Sequence, residues 1–81
     1  MPTSQDGRST RVRSPEALGR AIRATRIQAG MTQSELAERA RANRYAIHSL
    51  ESGHETRAVE LVFDTLAALG LELTVRPRGE R

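Results

Sequence analysis

The chain contains no cysteine and no lysine, so all thirteen of its basic residues are arginine. Without cysteine there is neither a disulfide nor a thiolate metal site, and the composition is compatible with a reducing compartment. No apolar run approaches the roughly twenty residues that a membrane-spanning helix requires. The first residues include arginine but lack the apolar segment of a secretory signal. We therefore expect a cytoplasmic protein.

The sequence also lacks the residue patterns of catalytic and cofactor sites. Its two histidines are not at metal-ligand spacing with other ligands, and it has no glycine-rich phosphate loop of the P-loop type. Glu35, Glu38 and Glu51 are accounted for by helix capping, surface exposure and ion pairing. We therefore expect no enzyme activity, no cofactor and no bound metal.

Charge is distributed unevenly along the chain, whose 81 residues carry a net charge of +3. Residues 1–49 hold nine arginines and four acidic residues, whereas residues 50–81 hold four arginines and six acidic residues. The first part therefore suits the phosphate backbone of a nucleic acid. The exclusive use of arginine is explained more simply by a GC-rich genome than by a need for bidentate contacts.

Helix start and stop signals predict four helices in one small domain. Thr32 with Glu35 has the pattern of a capping box, and Asn43 is a second good cap after a short turn. The fourth helix is amphipathic, with Phe63 as the expected centre of the core and with apolar residues at Val59, Val62, Phe63, Leu66 and Leu69. The predicted helices span about 15–29, 32–40, 44–51 and 57–69.

In the last segment the apolar residues no longer recur at helical spacing but at every second position. Leu71, Leu73 and Val75 alternate with polar residues until Pro77, which is typical of a strand. A lone strand has unpaired backbone groups, and a chain of this size is often marginally stable alone. We therefore expect this strand to pair with the same strand of a second subunit; an apolar tail that covers the core is the alternative.

These signals divide the chain into four parts. Residues 1–13 are polar and predict a disordered arm. Its arginines, Arg8, Arg11 and Arg13, either reach DNA or belong to a solvated tail, and the second interpretation is the simpler one. The helical domain is assigned to residues 14–70, the dimerisation strand to 71–76 and a tail to 77–81.

The stretch from Thr32 to Gly53 resembles the helix-turn-helix family of phage repressors and related bacterial regulators (the Xre/Cro family). The matching residues are Gly30, Thr32, Gln33, Leu36, Ala37, Ile47, Leu50, Glu51 and Gly53. The turn departs from the family pattern, because Arg41-Ala42-Asn43 stands where the family has Gly-Val-Ser. The resemblance implies an all-α, lambda-repressor-like domain that binds DNA, to which the predicted C-terminal strand adds pairing across a homodimer. It also implies a structural ion pair between Arg26 and Glu51.

In such a unit the third helix lies in the major groove and reads bases with the side chains that point away from Ile47 and Leu50. These are Arg44, Tyr45, His48 and Ser49. Arg44 suits guanine or a phosphate, and His48 is as easily a solvent-facing side chain. Gln33 stands at a helix N-terminus, which favours phosphate, and the family implies that it also supports the recognition helix. Ser52 is a further candidate for a phosphate contact.

The predicted C-terminal strand points to a smaller group within this family that the chain resembles. Together with Ser14-Pro15, the Thr32–Ala37 stretch and the Leu66–Leu69 helix end, the run Leu71–Val75 looks like that of the HipB-type antitoxins. This implies a dimeric repressor of its own operon that reads an inverted-repeat operator and binds a HipA-like Ser/Thr kinase toxin. The alternatives are a stand-alone phage-type or metabolic regulator without a toxin, and a protein-binding neutraliser that has lost DNA binding.

Overall fold

Four helices and a two-stranded antiparallel sheet make up the structure, a computed structural model that describes residues 9–54 and 56–79. In chain order the elements are β1 (Thr10–Val12), α1 (Pro15–Gln28), α2 (Gln33–Arg39), α3 (Arg44–Glu51), α4 (Arg57–Ala68) and β2 (Leu73–Val75). The four predicted helices are confirmed, close to their expected bounds. No helix within the described ranges is both long and apolar enough to cross a membrane.

Each helix begins at a short polar side chain that caps it. The side-chain oxygens of Ser14, Thr32, Asn43 and Thr56 each accept a hydrogen bond from the backbone N–H three residues later. Thr32 also donates its own backbone N–H to the Glu35 carboxylate, 2.8 Å away, which completes the capping box. These bonds satisfy N–H groups that a helix leaves without a partner. The local sequence therefore fixes where each helix starts.

The two strands pair with each other inside one chain. Thr10 lies opposite Val75 and Val12 lies opposite Leu73, in antiparallel register. The prediction of a lone C-terminal strand is therefore wrong, because β2 already has a partner along one edge. The signal for β1 is the alternation of Thr10-Arg11-Val12, which places two β-branched side chains on one face.

The predicted disordered arm also needs correction. Its last part forms β1, and Val12 is completely buried. A polar segment with a single large apolar residue becomes ordered here because that residue enters the core and the backbone pairs with β2. Arg8 and the rest of residues 1–8 lie outside the described residues.

Arg11 and Arg13, two arginines of that arm, lie beside Glu72 on the outer side of the sheet. The Nε atom of Arg13 is 2.6 Å from one carboxylate oxygen of Glu72, and the Nε atom of Arg11 is 3.5 Å from the other. Both arginines are largely exposed, so these ion pairs contribute little stability. They join Arg11 within β1 and Arg13 just after it to Glu72, the residue before β2.

The core is small, and its apolar residues come from four of the six elements. Its buried apolar residues are Val12 from β1, Ala37 from α2, Ile47 from α3 and Phe63 from α4. Phe63 is thus a core residue, as expected. Two other members of the α4 pattern are not: Val62 is 49% exposed and Leu69 is 66% exposed. The apolar stripe of α4 is wider than the surface that this single chain covers.

Close packing of α1 against α3 fixes the position of α3. Gly19, in the middle of α1, faces the backbone of α3, where a Cβ would overlap the carbonyl oxygen of Leu50 and lie 2.7 Å from that of Glu51. Gly53, just after α3, has a φ of +77° and packs against Glu16, whose Cα would be 3.0 Å from an added Cβ. Glycine at these two positions allows the backbones of α1 and α3 to approach each other.

Gly19→Ala is expected to destabilise the fold by about 1–3 kcal/mol, the range for an overpacked site. In an open helix interior the same substitution would stabilise by up to about 1 kcal/mol, so the sign of the effect reports the contact between α1 and α3. Thermal or urea unfolding measures it. Gly79→Ala is the control, because an added Cβ there meets nothing within 4 Å. A Gly19→Ala variant as stable as the wild type would contradict this packing.

Candidate nucleic-acid interface

A buried ion pair ties the end of α1 to the end of α3. The Nε atom of Arg26 is 2.6 Å from one carboxylate oxygen of Glu51, and its Nη2 atom is 3.0 Å from the other. Glu51 is 8% exposed and is the one buried charged residue among those described. The resemblance to the phage repressors implied this pair, and the structure brings the two side chains together in a bidentate arrangement.

Two further hydrogen bonds extend the pair to the start of α2. Arg26 donates through Nη1 to the carbonyl oxygen of Met31 at 2.8 Å, and Gln33 donates through Nε2 to Glu51 at 3.1 Å. Gln33 is the first residue of α2. The network therefore holds α1, α2 and α3 in one arrangement. No buried side-chain nitrogen or oxygen within residues 9–54 and 56–79 is left without a hydrogen-bond partner.

These contacts shift the ionisation of both partners. Hydrogen bonds from the Arg26 guanidinium hold the pKa of the Glu51 carboxyl below its ordinary value of 4.5, against the opposing effect of burial. The same hydrogen bonds raise the pKa of Arg26. The pKa of Glu35 is also lowered, mainly because the backbone N–H of Thr32 donates to its carboxylate. Both carboxylates therefore stabilise the fold in their charged form.

Polar and aromatic side chains of α3 are presented to solvent. Arg44, Tyr45 and His48 line one surface depression, and we call these three residues the α3 outer face. All three are exposed, and Tyr45, the single tyrosine of the chain, is 77% exposed. An aromatic side chain left this far out in solvent makes little use of its apolar area within the fold. Three of the four predicted base-contacting residues thus lie together, and Ser49 is half-buried beside them.

The position of Ser52 does not suit the phosphate contact that was predicted for it. It is the C-cap of α3, and both its hydroxyl and its backbone N–H donate to the carbonyl oxygen of His48, at 2.8 Å and 3.0 Å. A phosphate accepts hydrogen bonds and therefore needs a donor. Because both donors of Ser52 are used inside the helix end, this geometry does not support the prediction that Ser52 contacts a phosphate.

The three predicted dimerisation residues lie at and just before β2. Leu73 and Val75 are half-buried on the inner face of the sheet, where they pair with Val12 and Thr10. Leu71, which precedes β2, is 55% exposed. The structure thus gives Leu73 and Val75 partners within the chain and leaves Leu71 available at the surface.

Sequence reasoning missed Gly19 and the core role of Val12. An isolated glycine inside a helical pattern is the available signal for Gly19, since glycine is unfavourable there unless a backbone approaches closely. Among the described residues, no three His, Cys, Asp or Glu side chains are grouped in a way that would hold a metal ion. Comparison with protein-family models, curated proteins and solved structures found no match.

Glu51→Gln is expected to lower the Tm at neutral pH by roughly 10 °C or more, because it leaves the largely enclosed Arg26 guanidinium without its counter-charge. Because the pKa of Glu51 is lower in the folded chain than its ordinary value of 4.5, the stabilisation is complete above pH 4.5. It disappears as the pH falls through the folded-state pKa. The Tm difference between the wild type and the variant should therefore narrow on acidification.

The control for this experiment is Glu38→Gln, which neutralises an exposed carboxylate on α2. It should change the Tm little and leave its pH profile parallel to that of the wild type. Calorimetry or circular dichroism at a series of pH values gives both readouts. A Tm difference for Glu51→Gln that stays constant from neutral to acid pH would contradict the assignment of this ion pair.

Proposed function

We propose that this protein is a sequence-specific DNA-binding repressor in which α2, the turn and α3 form a helix-turn-helix. The observation that carries the proposal is the division of α3 into buried and exposed residues. Ile47 and Glu51 lie in the interior, whereas Arg44, Tyr45 and His48 are exposed and line one surface depression. In this docking mode the exposed face enters the major groove, and its N-terminal residues meet base edges.

The side chains of the α3 outer face have the chemistry that base reading requires. Arg44 is at the first position of α3, where a guanidinium fork meets the O6 and N7 atoms of guanine. Tyr45 offers apolar area to a thymine methyl group and a hydroxyl to a phosphate. The Arg26–Glu51–Gln33 network holds α3 from behind, and a rigid support of this kind is what precise side-chain placement needs.

The distribution of charge along the chain also supports DNA binding by the α2–α3 region. The positive excess lies in residues 1–49, which contain α1, α2 and most of α3. Among the exposed side chains of the α2–α3 region are three arginines within six residues, with no acidic residue between them: Arg39, Arg41 and Arg44. Exposed cations of this kind attract a polyanion and make binding depend on salt.

We further propose that the protein acts as a homodimer on an inverted repeat. β2 uses one edge for β1, and pairing of its second edge with the β2 of a partner would extend the sheet across both subunits. Exposed apolar side chains lie nearby on α4 and just before β2: Leu61, Val62, Leu69 and Leu71. Exposed apolar patches are typical of protein interfaces, and a second copy would cover these side chains.

The resemblance to HipB-type antitoxins extends the proposal to the operon. We propose that the protein represses its own operon and binds a HipA-like Ser/Thr kinase toxin, in the cytoplasm where both partners lie. Support comes from the strand at the end of the helical domain and from the match over Thr32–Gly53. A kinase-like reading frame beside the gene favours the antitoxin; its absence favours a stand-alone regulator.

The test of DNA binding uses the DNA upstream of the protein's own gene, with scrambled DNA for comparison, titrated against salt. The wild type should prefer the upstream DNA, and log K should fall steeply with log salt concentration. Arg44→Ala is expected to weaken binding by about 1–3 kcal/mol and to lose much of the preference, since it removes a base contact.

The matched control for Arg44→Ala is Arg78→Ala, which removes the same charge from an exposed position after β2. It should leave the preference for upstream DNA unchanged. Equal binding of the wild type to both DNAs would point instead to a protein-binding neutraliser, or to a regulator whose target lies elsewhere. If Arg44→Ala and the wild type bind with equal affinity, α3 is not the helix that reads the bases.

The test of the dimer is Leu71→Glu. Deletion of residues 71–81 would also remove the strand that pairs with β1 and would expose Val12. A point substitution at an exposed residue is therefore a more specific test. Since a buried carboxylate at an apolar interface is strongly unfavourable, the dissociation constant should rise at least about tenfold while the monomer stays folded. Sedimentation measures this. Ile27→Glu, at a 51% exposed residue of α1, should leave the dimer intact, and an unchanged dimer in Leu71→Glu would refute this interface.

A further inference from the structure

All four helices end in the same backbone arrangement, but α2 does so without glycine. The residue after each C-cap has a positive φ, and it is Gly30 after α1, Gly53 after α3 and Gly70 after α4. After α2 it is Arg41, with a φ of +60°. At each end the next N–H donates to a carbonyl oxygen five residues earlier, as Ala42 does to Ala37 at 2.8 Å. Arg41 is the one non-glycine residue in this backbone region among residues 9–54 and 56–79.

This conformation is unfavourable for arginine. A left-handed residue with a Cβ crowds the following carbonyl oxygen, whereas glycine avoids the contact. The same chain uses glycine at the three equivalent positions, so the fold accepts glycine in this turn geometry. Backbone strain that persists in a protein tends to coincide with functional sites.

Contacts within the fold do not explain the choice of arginine. The backbone N–H of Arg41 donates to the carbonyl oxygen of Glu38 at 3.2 Å, a bond that glycine makes equally well. Its side chain is exposed and forms no ion pair or hydrogen bond with the other described residues. The favourable effect of a cation on the helix dipole is already supplied by Arg39 in the last turn of α2.

The position of Arg41 suits a contact with DNA. It lies in the turn between α2 and α3, two residues before the N-cap Asn43 and three before Arg44. When the N-terminal end of α3 enters the major groove, the turn before it runs along the edge of the groove, where the phosphates are. A long, flexible arginine side chain at this point reaches them in a bidentate manner.

We propose that Arg41 is a DNA-contacting residue whose guanidinium binds a backbone phosphate, and that this contact accounts for arginine at a strained glycine position. The inference rests on the proposed DNA-binding function. A phosphate contact fixes the register of a protein on DNA but carries no sequence information. Arg41 therefore contributes equally to binding of every DNA sequence.

The experiment compares Arg41→Gly, Arg41→Lys and the wild type on the upstream DNA and on scrambled DNA. Arg41→Gly should keep or raise the Tm, because the strain is relieved, and yet weaken binding to both DNAs by the same factor, about five- to tenfold. Its plot of log K against log salt should be flatter by about one for each subunit bound. Arg41→Lys keeps the charge and should retain the salt slope but only part of the affinity, because an ammonium group cannot make the bidentate contact. Arg78→Gly, the same change at a distant exposed residue, is the control.

Three results would overturn the inference. Arg41→Gly with wild-type affinity and salt slope would show that the side chain makes no contact with DNA. Loss of the preference for upstream DNA without an equal loss on scrambled DNA would indicate a base contact instead. A lower Tm for Arg41→Gly would show that arginine stabilises the turn. If the wild type itself binds neither DNA, the proposed function fails and the inference fails with it, which is distinct from failure of Arg41 alone.

Discussion

The orientation of α3 depends on the ion pair between Arg26 and Glu51. Each partner lies at the end of a different helix, and the remaining hydrogen-bonding capacity of the pair goes to Met31 and Gln33 at the start of α2. Three helices thereby share one polar anchor in a domain whose apolar core is small. A buried pair of this kind adds less to net stability than its geometry suggests, since both charges lose water. Its main effect is to select one arrangement of the helices.

The helices could be predicted from the sequence because their boundaries are set locally. Ser14, Thr32, Asn43 and Thr56 cap helices with their own side chains, and capping needs no distant partner. The apolar spacing of α3 predicted a buried Ile47 correctly, but Leu50, the other residue of the predicted buried side, is 38% exposed, and Glu51 is buried instead. The Arg26–Glu51 pair followed from family resemblance alone, because the two residues are distant in sequence and nothing local links them.

The sheet and the tight contact at Gly19 could not be predicted in the same way. A three-residue strand gives too short an alternation to stand out, and whether Val12 enters a core depends on β2, which lies at the other end of the chain. The exposure of Val62 and Leu69 likewise depends on how much of α4 the other elements cover. Such tertiary contacts decide the outcome where local patterns are ambiguous.

Pairing of β1 with β2 also sets an order in which the fold is completed during synthesis. The contacts of the helix ends are local and become available as each segment leaves the ribosome, but β1, made first, has no partner until β2 has been made. Val12, the most deeply buried apolar residue of those that the structure describes, is therefore among the last to find its place. Until β2 is available, Val12 lacks the strand that it pairs with, and the sheet can form only after all four helices have been made.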